Sequence, residues 1–194
     1  MRYIYNCAIA RPALLCALLA FLAGFSFAAT SEKLSFPKGL QLNKQLPWFA
    51  LDMKDAEGTY NGVIKNDKLK EIIHQRNSKR VVFAFFATWC FPCREGLRLL
   101  GEKAAELKDN GVLVILVNVG ESDYVKTDKW IKEYAKEGWL IGYDKFNNMP
   151  ETFGLVKRGE EMPLPATLLL DPNLRPLLLI GHEGEDYPQI LWGK

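Results

Sequence analysis

Two runs of consecutive apolar residues, Val81 to Phe86 (VVFAFF) and Val112 to Val117 (VLVILV), constrain this chain more than any other feature. Each is the length of one strand, and neither alternates. A strand that is apolar on both faces has to be covered on both faces, which is the condition of strands in the middle of an α/β sheet. Between the runs lies a helical pattern with Leu97, Leu100, Ala104 and Leu107 on one face and Asn110-Gly111 at its end. The first run leads through Ala87 and Thr88 into Trp89-Cys90-Phe91-Pro92-Cys93, so a C-x-x-C pair stands where a strand becomes a helix.

The other elements follow from the same patterns. Leu46 to Met53 and Thr59 to Ile64 flank Asp55-Ala56-Glu57-Gly58 and predict a hairpin. Asn66 or Asp67 caps a short helix with Leu69, Ile72 and Ile73 on its apolar face. Asp128 to Lys136 reads as a charge-rich helix, Leu140 to Tyr143 as a short strand and Glu151 to Phe153 as a short helix. Ala166 to Leu170 and Leu177 to Gly181 are strands joined by Asp171-Pro172-Asn173, and a tight turn makes them antiparallel. Thr30 to Gln45 reads as a polar lead-in without structure. The fold class is therefore α/β, with a central mixed sheet flanked by helices.

The first 29 residues stand apart. Arg2 and Arg11 are their only charges, and Pro12 to Ser31 carries none. Ser26-Phe27-Ala28 places small residues for cleavage after Ala28, so 1–29 reads as a signal peptide, with an uncleaved N-terminal membrane anchor as the alternative, and 30–194 as one domain. Export implies a periplasmic or other extracytoplasmic location. Without Arg2 and Arg11, 25 basic residues become 23 against 23 acidic ones, and this balance gives no basic face for nucleic acid.

Removal of the leader also takes Cys7 and Cys16, leaving Cys90 and Cys93. A bridge across two intervening residues closes almost no loop and constrains the unfolded chain little, so the pair is kept for reactivity rather than as a staple. Cys90 at a helix N-terminus meets unpaired N–H groups and the helix dipole, which favour the thiolate and give such cysteines pKa values of about 3.5–7.5. Cys93 lies one turn deeper on the same face. A closed zinc site needs two further ligands, and His74 and His182 lack ligand spacing; no metal is expected. His74 reads as a boundary residue beside an apolar helix face, and Gly181-His182-Glu183-Gly184 as a solvent-facing turn.

The strand followed by Ala87-Thr88-Trp89-Cys90-Phe91-Pro92-Cys93-Arg94, together with Pro165-Ala166-Thr167 before LLLD, resembles the thioredoxin superfamily in its exported TlpA/ResA/CcmG-like branch. Leu46-Pro47-Trp48-Phe49-Ala50-Leu51 resembles that branch's N-terminal hairpin, and the likeness covers roughly residues 40–192. The resemblance implies a thioredoxin-like fold with an N-terminal β-hairpin extension and a thiol–disulfide oxidoreductase. Cys90 would be its nucleophile and Cys93 its resolving cysteine. Pro165 would be the cis-proline, with Pro163 as competitor. Trp89, Phe91, Pro92, Leu164, Pro165 and Thr167 would contact substrate. No cofactor is expected beyond the redox-active Cys90–Cys93 disulfide. Partners would be protein thiols and disulfides and a membrane electron donor, with the chain itself a monomer, acting as a reductant in a role such as cytochrome c maturation.

The sequence departs from the family at the acids. Thioredoxins carry a buried acid at the position of Ala84, and many members of the resembled branch carry a glutamate at the position of Gly96. Glu95 is one residue early, about 100° around the helix, and the proton acceptor for Cys93 is left open. The C-terminal helix reads as shortened. Two other functions stand beside the reductant: an oxidant that forms disulfides, and a binding module whose disulfide is structural. A peroxidase would want Pro-x-x-x-Thr-x-x-Cys, and the residues before Cys90 do not supply it.

Overall fold

The computed structural model describes residues 31–36, 40–146 and 148–193; the leader assigned to 1–29 lies outside them. At the centre is β4 (Arg80–Phe86), flanked by parallel β5 (Val112–Asn118) and antiparallel β7 (Ala166–Leu170). Outward from β5 come β6 (Leu140–Tyr143), β2 (Ala50–Asp55) and β3 (Tyr60–Lys65); outward from β7 come β8 (Pro176–His182) and β1 (Glu32–Leu34). The eight strands form one mixed sheet in the order β1-β8-β7-β4-β5-β6-β2-β3. The hairpin β2–β3 is thus an edge of the main sheet, joined to it by antiparallel pairing of β2 with β6.

The uninterrupted apolar runs do what their composition requires. Val81, Phe83, Phe85, Ile115 and Val117 enter one core, while Val82, Ala84, Phe86, Val114 and Leu116 enter the other. On the first face, α1 (Asn66–Gln75) contributes Leu69 and Ile73, and α5 (Met149–Thr152) contributes Met149. Phe49 packs edge-on against Phe83 and Phe153, with ring centroids 5.7 and 5.5 Å away. On the second face lie α2 (Phe91–Glu102), α3 (Ala104–Asp109), α4 (Tyr124–Ile131) and α6 (Tyr187–Trp192). Their buried residues Leu97, Leu100, Leu107, Ile131, Tyr187 and Leu191 share a core with both cysteines. Each fully buried Leu, Ile or Phe contributes roughly 1.5–3 kcal/mol relative to exposure.

Several local expectations are corrected. The helix after the cysteines is two helices, because Lys103 (φ −107°, ψ 16°) ends α2 with a bond from its N–H to the Leu100 carbonyl. Gly111 still terminates the second piece, in the left-handed conformation at φ 72°. The charge-rich helix begins and ends earlier than 128–136, since Asp123 caps it by accepting from the Lys126 N–H at 3.0 Å. Asn66 does not cap α1. Its side chain accepts from the Phe49 N–H (2.8 Å) and donates to the Pro47 carbonyl (3.0 Å), tying the hairpin's approach to the helix. The lead-in contains β1, an edge strand too short to leave a periodic signal. His182 ends β8 rather than lying in a turn, and Glu183 after it is buried. The single turn of α5 starts two residues before the predicted Glu151.

Candidate active site

The site is built at the end of β4. Ala87 is buried, and its carbonyl accepts from the Cys90 N–H at 3.0 Å, which turns the chain sharply into α2. The turn is pinned by Glu121. This carboxylate accepts from the Thr88 N–H (2.9 Å), the Thr88 hydroxyl and the Asn118 side-chain amide (2.6 Å). Cys90 is the N-cap residue of α2, with extended dihedrals, and its Sγ accepts from the Cys93 N–H at 3.2 Å. Pro92 falls in the first turn, where a missing N–H costs no helical bond. Cys90 and Cys93 form a disulfide with Cα atoms 5.3 Å apart.

Both cysteines are buried, while Trp89 and Phe91 beside them are 62 % and 78 % exposed. Two large apolar side chains thus project into solvent around a buried sulfur pair. Arg94 braces the back of the turn. Its guanidinium donates to the Thr88 carbonyl at 3.2 Å and lies over the Trp130 ring, which stacks on Phe86.

The antiparallel register pairs Ala166 with Phe85, so Pro165 stands at the end of β4 that leads to the cysteines. The Leu164–Pro165 peptide bond is cis, which decides between Pro165 and Pro163. Leu164 and Trp89 line one open cavity of about 390 Å³, together with Gly120, Glu160 and Met162. The structure therefore gathers Trp89, Cys90, Phe91, Pro92, Cys93, Leu164 and Pro165 at one end of the sheet. Thr167 is the exception. It is fully buried and its hydroxyl turns inward, so it is not placed to touch a substrate.

Thr167 instead leads to Glu183, in the segment that the sequence pattern predicts as a turn. Its hydroxyl donates to Glu183 Oε1 at 2.7 Å, and the Tyr187 hydroxyl lies 2.7 Å from the same Thr167 oxygen. The Tyr187 hydroxyl also hydrogen-bonds the Glu183 carboxyl, so the three side chains form one buried cluster. Burial pushes the Glu183 carboxyl up to about 7, against the opposing hydrogen bonds of Thr167 and Tyr187. Glu95, the nearer candidate in sequence, is exposed, and its hydrogen bonds with Arg98 hold its carboxyl below the ordinary range. The signal for Glu183 in the sequence is the first of three closely spaced acids following a strand, a pattern that ordinarily marks a surface turn.

A family profile described as AhpC/TSA matches residues 42–175, from the approach to the hairpin through the turn after β7. The chain belongs to the AhpC/TSA family. Among similar proteins, the thiol-disulfide oxidoreductase ResA of Bacillus thuringiensis is 25 % identical over 160 residues, spanning 82 % of this chain and 78 % of that one. A solved structure described as thiol:disulfide interchange protein DsbE, from Chlorobium tepidum, superposes with a TM-score of 0.54 at 24 % identity, covering 75 % of this chain and 86 % of its own. The AhpC of Enterococcus faecalis superposes with a TM-score of 0.60 at 18 % identity, over 78 % and 88 %. At those identities the two structures establish the shared thioredoxin-like fold and nothing about chemistry. In this AhpC/TSA member, Phe83 and Ala87 occupy the positions where Pro-x-x-x-Thr-x-x-Cys would need proline and threonine before Cys90.

Proposed function

We propose that this thiol–disulfide oxidoreductase reduces protein disulfides outside the cytoplasm, with Cys90 as nucleophile and Cys93 as resolving cysteine. The observation that carries the reading is the bridged pair at the N-terminus of α2, flanked by exposed Trp89 and Phe91. In the reduced protein the Cys90 thiolate attacks one sulfur of a substrate disulfide. A mixed disulfide forms and the other substrate sulfur leaves as a thiolate. Cys93 then attacks Cys90 Sγ, releases the second substrate thiolate and closes the Cys90–Cys93 bond. Two electrons have passed to the substrate, and the bridge is the only redox group the cycle requires.

Trp89, Phe91 and Pro92 offer an apolar rim for the substrate, and the backbone at Leu164 beside Pro165 offers main-chain pairing. Support for the reductive direction, the extracytoplasmic setting and a role such as cytochrome c maturation comes from the leader pattern in 1–29 and the likeness to ResA. Re-reduction requires a dithiol donor, which outside the cytoplasm would be a membrane protein. None of the described helices is long and apolar enough to cross a membrane.

The test is a redox titration of Cys90–Cys93 combined with trapping by Cys93→Ser. A catalytic pair titrates between about −270 and −120 mV, a reductant toward the negative end, and an inert structural bridge falls below about −300 mV. Substrates should accumulate on Cys90 in the Cys93→Ser variant. A potential near the oxidising end overturns the direction, and a potential below the catalytic range with nothing trapped overturns the activity.

A further inference from the structure

The acid that is missing at positions 84 and 96 is present in space. A Cβ built on Gly96 would overlap Oε2 of Glu183 and stand 2.6 Å from its Cδ, so the carboxyl group fills the volume that a side chain at 96 would occupy. Gly96 follows Cys93 by three residues, and residues three apart share a helix face. Cys93 and Gly96 are both buried on the face of α2 that Glu183 abuts. We infer that Glu183, delivered from the end of β8, is the group that exchanges a proton with Cys93 during thiol–disulfide exchange. The inference rests on the proposed function and adds to it the acid–base partner of the resolving step.

Glu183 has the surroundings of a proton carrier. None of the ion pairs among the described residues includes it. Its hydrogen-bonding neighbours are the neutral hydroxyls of Thr167 on β7 and Tyr187 on α6, and α2 meets it at Gly96. Ala84, the neighbour of Thr167 on β4, brings no charge. Of the acids next in its own loop, Asp186 is engaged by the Ser31 N–H at 2.7 Å. A buried carboxyl without a cation is costly to keep for packing alone. With its pKa near 7 both protonation states are accessible at neutral pH, the condition for efficient general acid–base work. Burial holds the Tyr187 hydroxyl well above its ordinary value, so it remains a donor throughout.

In the mixed disulfide, ionised Glu183 takes the proton of the Cys93 thiol. The Cys93 thiolate attacks Cys90 Sγ, the Cys90–substrate bond breaks, and the substrate sulfur leaves with the electron pair. Protonated Glu183 then returns its proton to that thiolate or to solvent. In re-reduction the donor thiolate attacks Cys90, Cys93 leaves as a thiolate, and protonated Glu183 supplies its proton.

Stopped-flow oxidation of the reduced protein by a small aromatic disulfide separates formation of the mixed disulfide at Cys90 from its resolution by Cys93. In the wild type the resolution rate should rise with pH and level off above about pH 7, following Glu183. Glu183→Gln, nearly isosteric, should slow resolution at neutral pH by roughly 10- to 100-fold, within the lower range of general acid–base effects. It should leave formation unchanged and converge on the wild-type rate at high pH. Glu183→Asp should keep a pH-dependent step at a lower rate. Equal losses in both steps would make Glu183 structural, and an unchanged resolution profile in Glu183→Gln would remove it from the reaction. Absence of any mixed disulfide in the wild type would instead refute the exchange activity itself.

Discussion

The carboxyl group of Glu183 stands where the side chain of residue 96 would be, and Gly96 is the residue that leaves room for it. The two are separated by about half of the domain in sequence and are in contact in the fold. An alanine at 96 meets an already filled space. Gly96→Ala should therefore destabilise the protein by about 1–3 kcal/mol, as overpacking does, despite alanine's better helix propensity. In a Glu183→Ala background the same substitution should cost little. Denaturant midpoints of the four proteins give the coupling, and additive effects would contradict the contact.

Stability should depend on pH through Glu183 with a defined sign. Its pKa is near 7 in the folded protein against an ordinary 4.5. Between those values the folded state holds a proton that the unfolded state has released, so the stability contributed by this group is fully present below about pH 4.5 and lost as pH rises through 7. The difference is on the order of 3 kcal/mol. Urea unfolding of wild type and Glu183→Gln across this window should show the wild type losing stability relative to the variant as pH rises.

The turn before Cys90 depends on one carboxylate. Glu121→Ala leaves the Thr88 N–H and hydroxyl without their acceptor and the Asn118 amide with only its long bond to the Phe86 carbonyl (3.5 Å). Each orphaned buried donor costs about 1–3 kcal/mol unless water reaches it. A lowered melting temperature, together with faster amide exchange at Thr88 to Cys90, is the expected result; unchanged exchange there would show that Glu121 does not hold the turn.

Asn66 supplies a control on the opposite face of the sheet. Asn66→Ala removes the acceptor of the Phe49 N–H and the donor to the Pro47 carbonyl. The expected loss is about 1–3 kcal/mol, with the exchange rate at Cys90 unchanged, since α1 packs on the core that excludes the cysteines. Parallel measurement of urea midpoint and disulfide-exchange rate checks both halves.

The central strands were legible because their signal is local: a run with no polar residue has one way to be buried, and β4, β5 and β7 appear within a residue of their expected ends. The cysteine turn was legible for the same reason. Glu183 was not, because its burial depends on α2 at Gly96 and on Thr167 of β7, and no window of sequence around Gly181-His182-Glu183-Gly184 contains either. Thr167 was misread with it, since the inward turn of its hydroxyl only makes sense once Glu183 is there to receive it. The break at Lys103 and the early start of α4 depended on single capping interactions, which compete closely with continued helix.

The irregular rims of the sheet limit how a partner can engage this protein. At one rim the β1–β8 pairing slips between Glu32 and Lys33; at the other, β2–β3 slips between Met53 and Lys54, with Gly62 of β3 at φ 88°. A loose polypeptide seeking to add itself as a further strand needs an even row of main-chain donors and acceptors. These rims interrupt that row on both sides. A client seeking lateral pairing thus meets an uneven ladder at either described rim, which disfavours adhesion along the sheet.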